Sequence, residues 1–210
     1  ANGISLFAVP ASTAGITRKW LPTMDQTRHQ AEIVLNNVSI STSALMSTEA
    51  QAWPQLQKII SLAKIAVSAE QMGSAQEMLD KTVAFTQERI QFGRSIASFQ
   101  AIKHKAADMM LKCEVARSAV YYAACVAQEA MSGDGDTTIA AELDEAAAMA
   151  KCYCSDTFFF NAGSAIQMYG GVGFTWEYDV HLYFKRAKAS ELFLGNGAQQ
   201  RELIAQMLLD

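Results

Sequence analysis

Apolar positions recur at three- and four-residue steps over most of this chain, and only its first part breaks that rhythm. From Ala1 to about Met46, short apolar runs (Ile4 to Val9 and Ile33 to Val38) lie between Pro10, Gly15, Pro22 and Asn36-Asn37. Runs of that length between turn formers predict about three strands. That is too few for a stable sheet with its own core, so residues 1–46 read as part of a β-domain that needs further strands. From Pro54 the pattern is helical. Pro54 suits a first helical turn, and Leu56, Ile59, Ile60, Ala63 and Val67 follow at helical steps, predicting a helix to Phe92 with Gly93 as its stop. Further helices are predicted over Ser98 to Met131, Thr137 or Thr138 to Met168, Val180 to Leu194 and Ala198 to Leu209, with a turn at Ser132 to Asp136. Long helices with short connections predict an antiparallel bundle over residues 47–210. The fold class expected is mainly α, a helical bundle preceded by a few strands of a partial β-domain.

Composition narrows the function. Half of the 210 residues are apolar, 18% are charged and the formal net charge is -4. A chain of this length can bury a sizeable core. Its Lys and Arg are scattered, with no basic stripe, so no nucleic-acid partner is expected. Lys, Glu or Ser interrupts every apolar stretch before membrane-spanning length, and no charged leader precedes an apolar run. A soluble, cytoplasmic protein without a membrane partner is the expectation. Cys113, Cys125, Cys152 and Cys154 form no CxxC pair and fall in helix-like apolar stretches, where a thiol acts as a small hydrophobe. No metal site is expected from them.

Three clusters carry candidate chemistry. In Arg89-Ile90-Gln91-Phe92-Gly93-Arg94, an Arg at the end of a long helix can offer its fork to a phosphate, or can simply neutralise the helix C-terminus. The cluster alone does not separate these. In Gln167-Met168-Tyr169-Gly170-Gly171-Val172-Gly173-Phe174, paired glycines permit close approach by a ligand, although a helix C-cap also explains them. The third, Thr175 to Ala187, has aromatics at helical spacing, which more often signals core than a cofactor box. His181, His29 and His104 each read as a hydrogen-bonded structural histidine rather than a base or ligand.

Taken together the clusters are more specific. Arg-x-x-Phe-Gly at Arg89, Phe99-Gln100, and Gln-x-x-Gly-Gly-x-Gly-Phe at Gln167 resemble the C-terminal domain of acyl-CoA dehydrogenases. Leu21-Pro22-Thr23-Met24-Asp25-Gln26-Thr27-Arg28 with Val34 to Val38 is similar to the closing strands of that family's middle β-domain. Gly173-Phe174-Thr175-Trp176-Glu177 and His181 to Ala187 are most similar to a bacterial subgroup that includes heteromeric, steroid-catabolising dehydrogenases.

The resemblance implies an FAD-dependent α,β-desaturation of acyl-CoA thioesters in lipid metabolism. It implies that Arg89 contacts the FAD pyrophosphate with Phe92 beside it, and that Gln100, Gln167, Gly170 and Gly171 line the adenosine-diphosphate end. It also implies a homo- or hetero-oligomer, usually a dimer of dimers, with electron-transfer flavoprotein as a possible electron acceptor. The family's catalytic glutamate lies in a Tyr-Glu-Gly-Thr run, and here that place reads Phe193-Leu194-Gly195-Asn196. A second position for the base, on the first long helix, reads Ala63-Lys64. Lys64 stands where the family often has an Arg near the substrate. Glu70 lies two turns on, about 10 Å along the axis, and reads as structural; Glu191 is a weaker candidate. The catalytic residue is therefore unassigned. Two functions are expected from this pattern: a base-lacking, FAD-contacting part of an acyl-CoA dehydrogenase (a heteromer subunit or the C-terminal part of a longer chain), or a non-enzymatic helical scaffold that binds partner chains without flavin.

Overall fold

A computed structural model describes residues 3–209. They fall into two compact units, Ala1–Ile60 and Ser61–Asp210. In the first, strands β1 (Ile16–Leu21) and β2 (Gln30–Leu35) pair antiparallel, from Ile16 opposite Leu35 to Leu21 opposite Gln30. Gly15 begins the hairpin at φ +88°, where a Cβ would lie 2.3 Å from the Asn36 carbonyl oxygen, so a side chain there would clash. The connecting loop folds around the buried Asp25, whose carboxylate accepts from the Thr27 amide at 2.9 Å and hydroxyl at 2.6 Å. The predicted strand over Ile4 to Val9 makes only an isolated bridge, Phe7 to Leu45. The reason is its partner. Its backbone bonds an irregular stretch, through Ala8 N to Ala44 O, Met46 N to Leu6 O and Ala52 N to Ile4 O. The run Ile33 to Val38 stops pairing at Leu35, because Asn37 takes a positive φ of 49° and turns the chain away.

The second unit is a mainly α bundle. Helix α1 (Trp53–Glu88), which begins in the first unit, ends four residues earlier than its apolar pattern predicts. Strands β3 (Ile90–Gln91) and β4 (Arg94–Ser95) form a tight hairpin, with Phe92 at φ 55° and Gly93 at φ 79°. Two positive φ values in a two-residue loop are what a type I′ turn demands. Gly93 therefore serves that turn and is not a helix cap. The hairpin caps the helix in its place: Ser95 Oγ donates to Thr86 O at 2.8 Å, and Ile96 N donates to Arg89 O at 2.9 Å.

Helix α2 (Gln100–Met131) runs back, and the turn after it is folded tightly enough that a Cβ on Gly135 would sit 2.2 Å from Glu129 O. The third predicted helix is two. Asp136 caps a short α3 (Thr137–Ala140) by accepting from Thr138 N and Ile139 N. Glu142 N then closes on Ile139 O, three residues back, and this tighter turn separates α3 from α4 (Leu143–Tyr169). Helices α5 (Val180–Leu192) and α6 (Gly197–Leu209) complete the unit.

Side-chain links fix the helix directions. Ser61 meets Asp144 near the starts of α1 and α4, and the Tyr169 hydroxyl reaches Lys81 O near their ends, so these two helices run parallel. Tyr122, late in α2, reaches Glu142 just before α4, so α2 runs opposite. Arg186 holds Glu70 while Lys81 faces Asp179, so α5 also runs opposite to α1. Helix α4 packs on α2, α5 and α6 and is buried along most of its surface, the pattern of a central core helix. Its alanines 146, 147 and 150 meet Ile65, Ala123 and Val126 in one cluster; Phe158, Ala162 and Ala165 meet Met78, Met109 and Val180 in another. Small side chains allow that close approach.

The neighbouring phenylalanines of α4 test this register. Phe158 is fully buried and Phe159 is 36% exposed, stacked on Phe184 at 5.4 Å. We expect Phe158→Ala to cost about 3–5 kcal/mol and Phe159→Ala clearly less, read from urea unfolding of the full chain. Equal losses would place the helix in the wrong rotation.

Candidate functional site

The residues singled out for cofactor contact come from three elements whose ends meet. The Phe85 ring, in the last turn of α1, stacks on Tyr169 at 3.9 Å and 10°. Tyr178 packs edge-on to both rings, at 5.8 Å and 5.4 Å. Arg89 follows Phe85 by one turn, its amide donating to Phe85 O at 2.9 Å. Gly170 follows Tyr169 directly. Gln100 opens α2 just beyond the hairpin. Thus Arg89, Phe92, Gln100, Gln167, Gly170 and Gly171 share one end of the bundle.

All six are exposed, Phe92 at 91%. Among the described residues, the side chains of Arg89, Gln100 and Gln167 make no hydrogen bond or ion pair. Phe92 touches Phe99 edge-on at 6.1 Å, and Arg94 lies 4.0 Å over the Phe99 ring, so aromatic contacts hold the hairpin against the start of α2. Gly170 takes φ +66°, and a Cβ built on Gly93, Gly170 or Gly171 would meet nothing within 4 Å. Packing does not require glycine at these three places; the backbone is simply left open to approach. This open donor set (one guanidinium, two primary amides and bare backbone) fits the phosphates and polar edge of a dinucleotide. A groove of about 570 Å³ between α1 and α2, lined by Leu79, Val83, Ala106 and Met110 with Asp80 and Glu114, contains none of the six.

The candidates for a base are differently placed. Leu194 is half-buried at φ 61°, beside Gly195 at φ 95°. Glu70 is tied to Arg186, whose Nε and a terminal nitrogen both lie 2.8 Å from one carboxylate oxygen. That two-donor grip makes it a strut between α1 and α5, as its position along the helix suggested. Glu191 pairs with Lys188 at 2.9 Å. Lys64 is buried; desolvation lowers its pKa and the Asp144 carboxylate opposes the shift. His181 is buried against the edge of Trp176 at 4.6 Å, and its Nε2 finds no hydrogen-bond partner, contrary to the expectation of a hydrogen-bonded imidazole.

Sequence reasoning missed a buried polar group next to Leu194. Lys151 is fully buried, with Nζ donating to Ser155 Oγ, Glu191 O and Gly195 O. A lone lysine within Ala146 to Cys154 was the signal available, since nothing else there is charged.

A model of the acyl-CoA dehydrogenase C-terminal domain matches residues 51–209. The chain belongs to the acyl-CoA dehydrogenase family. That family consists of FAD-dependent flavoproteins. The chain is 35% identical over 187 residues to the acyl-CoA dehydrogenase IpdE2 of Mycolicibacterium smegmatis, covering 89% of this chain and 51% of that protein. It superposes on butyryl-CoA dehydrogenase from Megasphaera elsdenii with a TM-score of 0.89 and 29% identity, covering all of this chain and 52% of that one. It also matches the Tcur3481-Tcur3483 steroid ACAD, at a TM-score of 0.79 and 26% identity over 97% of this chain and 51% of that one. The chain therefore spans about half the length of the relatives it matches. No described helix is long and apolar enough to cross a membrane. Among the described residues no group of three or more His, Cys, Asp or Glu side chains could hold a metal.

The thiols can be checked directly. Burial pushes the Cys154 thiol up to about 12 and raises Cys113 and Cys152 as well, while Cys125 is exposed. Since the thiolate is the reactive form, we expect a thiol-reactive dye at about pH 8 to modify Cys125 alone in the folded chain. The other three should follow only on unfolding, as mass spectrometry of the labelled protein would show.

Proposed function

We propose that this chain is the C-terminal helical part of an FAD-dependent acyl-CoA dehydrogenase, that it contributes cofactor contacts, and that it lacks the catalytic base. The observation that carries this reading is the stacking of Phe85 on Tyr169. It draws the Arg89 end of α1 and the Gly170-Gly171 end of α4 together, as a shared dinucleotide contact requires. Arg89 would hold the pyrophosphate in bidentate fashion, with Phe92 packed beside it. Gln100 and Gln167 would hydrogen-bond the adenosine-diphosphate end, and Gly170 and Gly171 would let it approach the backbone. Bound FAD supplies the hydride acceptor. The α-proton needs a carboxylate, and at the family's position for it Leu194 has no proton acceptor. The base must then come from another chain or another segment of the assembly.

The remaining features agree with an oligomer. Leu111, Val115 and Tyr121 on α2 and Leu208 on α6 are half or more exposed, apolar side chains suited to burial against other subunits. The match to a steroid ACAD favours a bulky acyl-CoA as substrate. The pairing of Glu70 and Glu191 with basic partners favours one alternative, a scaffold that assembles with dehydrogenase chains and binds no flavin. Flavin content separates the two. We expect the assembled protein to purify with FAD, and Arg89→Ala to weaken FAD retention by about tenfold or more, the loss of a charge-assisted contact. A colourless assembly that takes up no added FAD would favour the scaffold.

A second test concerns the base. Leu194→Glu in the same assembly should create or raise dye reduction dependent on a CoA thioester, with a bulky side chain preferred over short linear chains. If the variant keeps its FAD but gains no activity with any thioester, Leu194 does not occupy the base position.

A further inference from the structure

Leu194 and Gly195 both hold positive φ, at 61° and 95°, in the turn between α5 and α6. A leucine in the left-handed region costs about 1–2 kcal/mol, so something must hold this backbone in place. The holding groups are buried and come from below the turn. Lys151 Nζ, on α4, donates to Glu191 O and Gly195 O, each at 3.1 Å. Gln200 Nε2, on α6 and 1% exposed, donates to Leu194 O at 2.9 Å. Asn196 and Gln199 cap α6 reciprocally, amide to side chain, at 2.9 and 3.0 Å. The carbonyls on either side of the Leu194 side chain are thus pinned by one ammonium.

We propose that Lys151 is a positioning residue: its ammonium clamps the α5–α6 turn and so fixes where the side chain at position 194 points. That this turn faces the reacting thioester rests on the function proposed above; the clamp itself does not. Three partners surround Nζ. The third, Ser155 Oγ, lies at 2.8 Å and itself donates to Gln71 Oε1 at 3.2 Å, so it accepts from Lys151. Gln71 Nε2 in turn donates to Ser190 Oγ at 3.1 Å. Three acceptors need the three hydrogens of an ammonium, and a neutral amine has two. Deprotonation therefore leaves two hydrogens for three acceptors and strips the charge that strengthens both carbonyl bonds, so the hold on the turn weakens.

The surroundings make that loss accessible. Burial lowers the pKa of Lys151 to about 8. Glu191 on α5 and Cys152 and Cys154 on its own helix oppose the shift, Lys64 on α1 adds to it, and α6 offers the neutral Gln200. The sign has two parts. Locally, the turn loosens as pH rises through about 8. Globally, the unfolded chain still holds this proton up to its ordinary pKa of 10.5, so between the two values this group makes the folded state gain stability with pH. Local loosening without a matching global loss is the signature that a merely structural lysine would not give.

Hydrogen–deuterium exchange of the assembled protein tests the clamp, with rates corrected for intrinsic chemistry. In the wild type we expect protection of the Gly195 and Asn196 amides to fall about tenfold between about pH 7 and 9, while α2 and α4 keep theirs. Lys151→Met should show the loosened turn already at about pH 7 and lose the pH dependence. Ser155→Ala, which keeps both carbonyl bonds, should stay within about twofold of wild type in this turn. If Lys151→Met does not fold, the wild-type pH series decides alone. A turn whose protection ignores pH in the wild type, or loosening in Lys151→Met spread evenly over α4 and α5, overturns the proposal. FAD uptake is measured on the same samples: a wild type that binds no FAD yet shows the pH-dependent turn sinks the dehydrogenase reading and leaves the clamp standing.

Discussion

Helix α4 keeps only a narrow exposed stripe, through Met149, Asp156, Phe159 and Gln167, and the burial of its other faces organises the rest of the bundle. Polar side chains on its buried faces must find their partners within the protein. Asn161 meets this through its nitrogen, which donates to Ala75 O on α1 and Met109 O on α2, with Cys113 Sγ at 3.1 Å, whereas its Oδ1 and Thr157 Oγ1 find no hydrogen-bond partner. Ser155 reaches Gln71, Lys151 reaches the end of α5, and Tyr169 reaches Lys81. Apolar packing supplies the bulk of the cohesion, but alanine surfaces slide easily. The polar links have one good register each, and they set how far each neighbour projects at the bundle's ends.

That projection matters because the candidate cofactor contacts lie at element ends. Arg89 extends beyond α1 by the distance the Phe85–Tyr169 stack permits, and the hairpin after it turns the chain back to start α2 at Gln100. At the other candidate place, the α5–α6 turn is held by side chains rooted in α4 and α6. Both regions take their coordinates from the central helix, one through stacked rings and the other through a buried ammonium.

Much of this was legible in the sequence. The helical steps from Pro54, the Ser132 to Asp136 turn and the Gly170-Gly171 stop each mark a real boundary, because they report local backbone preference. Phe92 was not legible as the centre of a hairpin: its apolar step matched the preceding helix, and only the Phe-Gly pair in left-handed backbone overrides that rhythm. The break between α3 and α4 was hidden among good helix formers and depends on one tight turn at Glu142. Ile4 to Val9 looks like a strand by composition, yet strand geometry depends on the partner's regularity, which the run itself does not encode. Among the candidate residues, Arg89 and the glycines stood out through motif spacing. Lys151 and Gln200 were not, since their partners are backbone carbonyls, and a carbonyl has no letter in a sequence.

The α5–α6 turn has one more consequence. None of the bonds that hold it involves the side chain at position 194: Lys151, Gln200 and the Asn196–Gln199 pair all grip main chain or one another. The mould and the casting are therefore independent. Drift at this one codon can strip a proton acceptor from the chain, or return one, without asking the neighbouring helices to move.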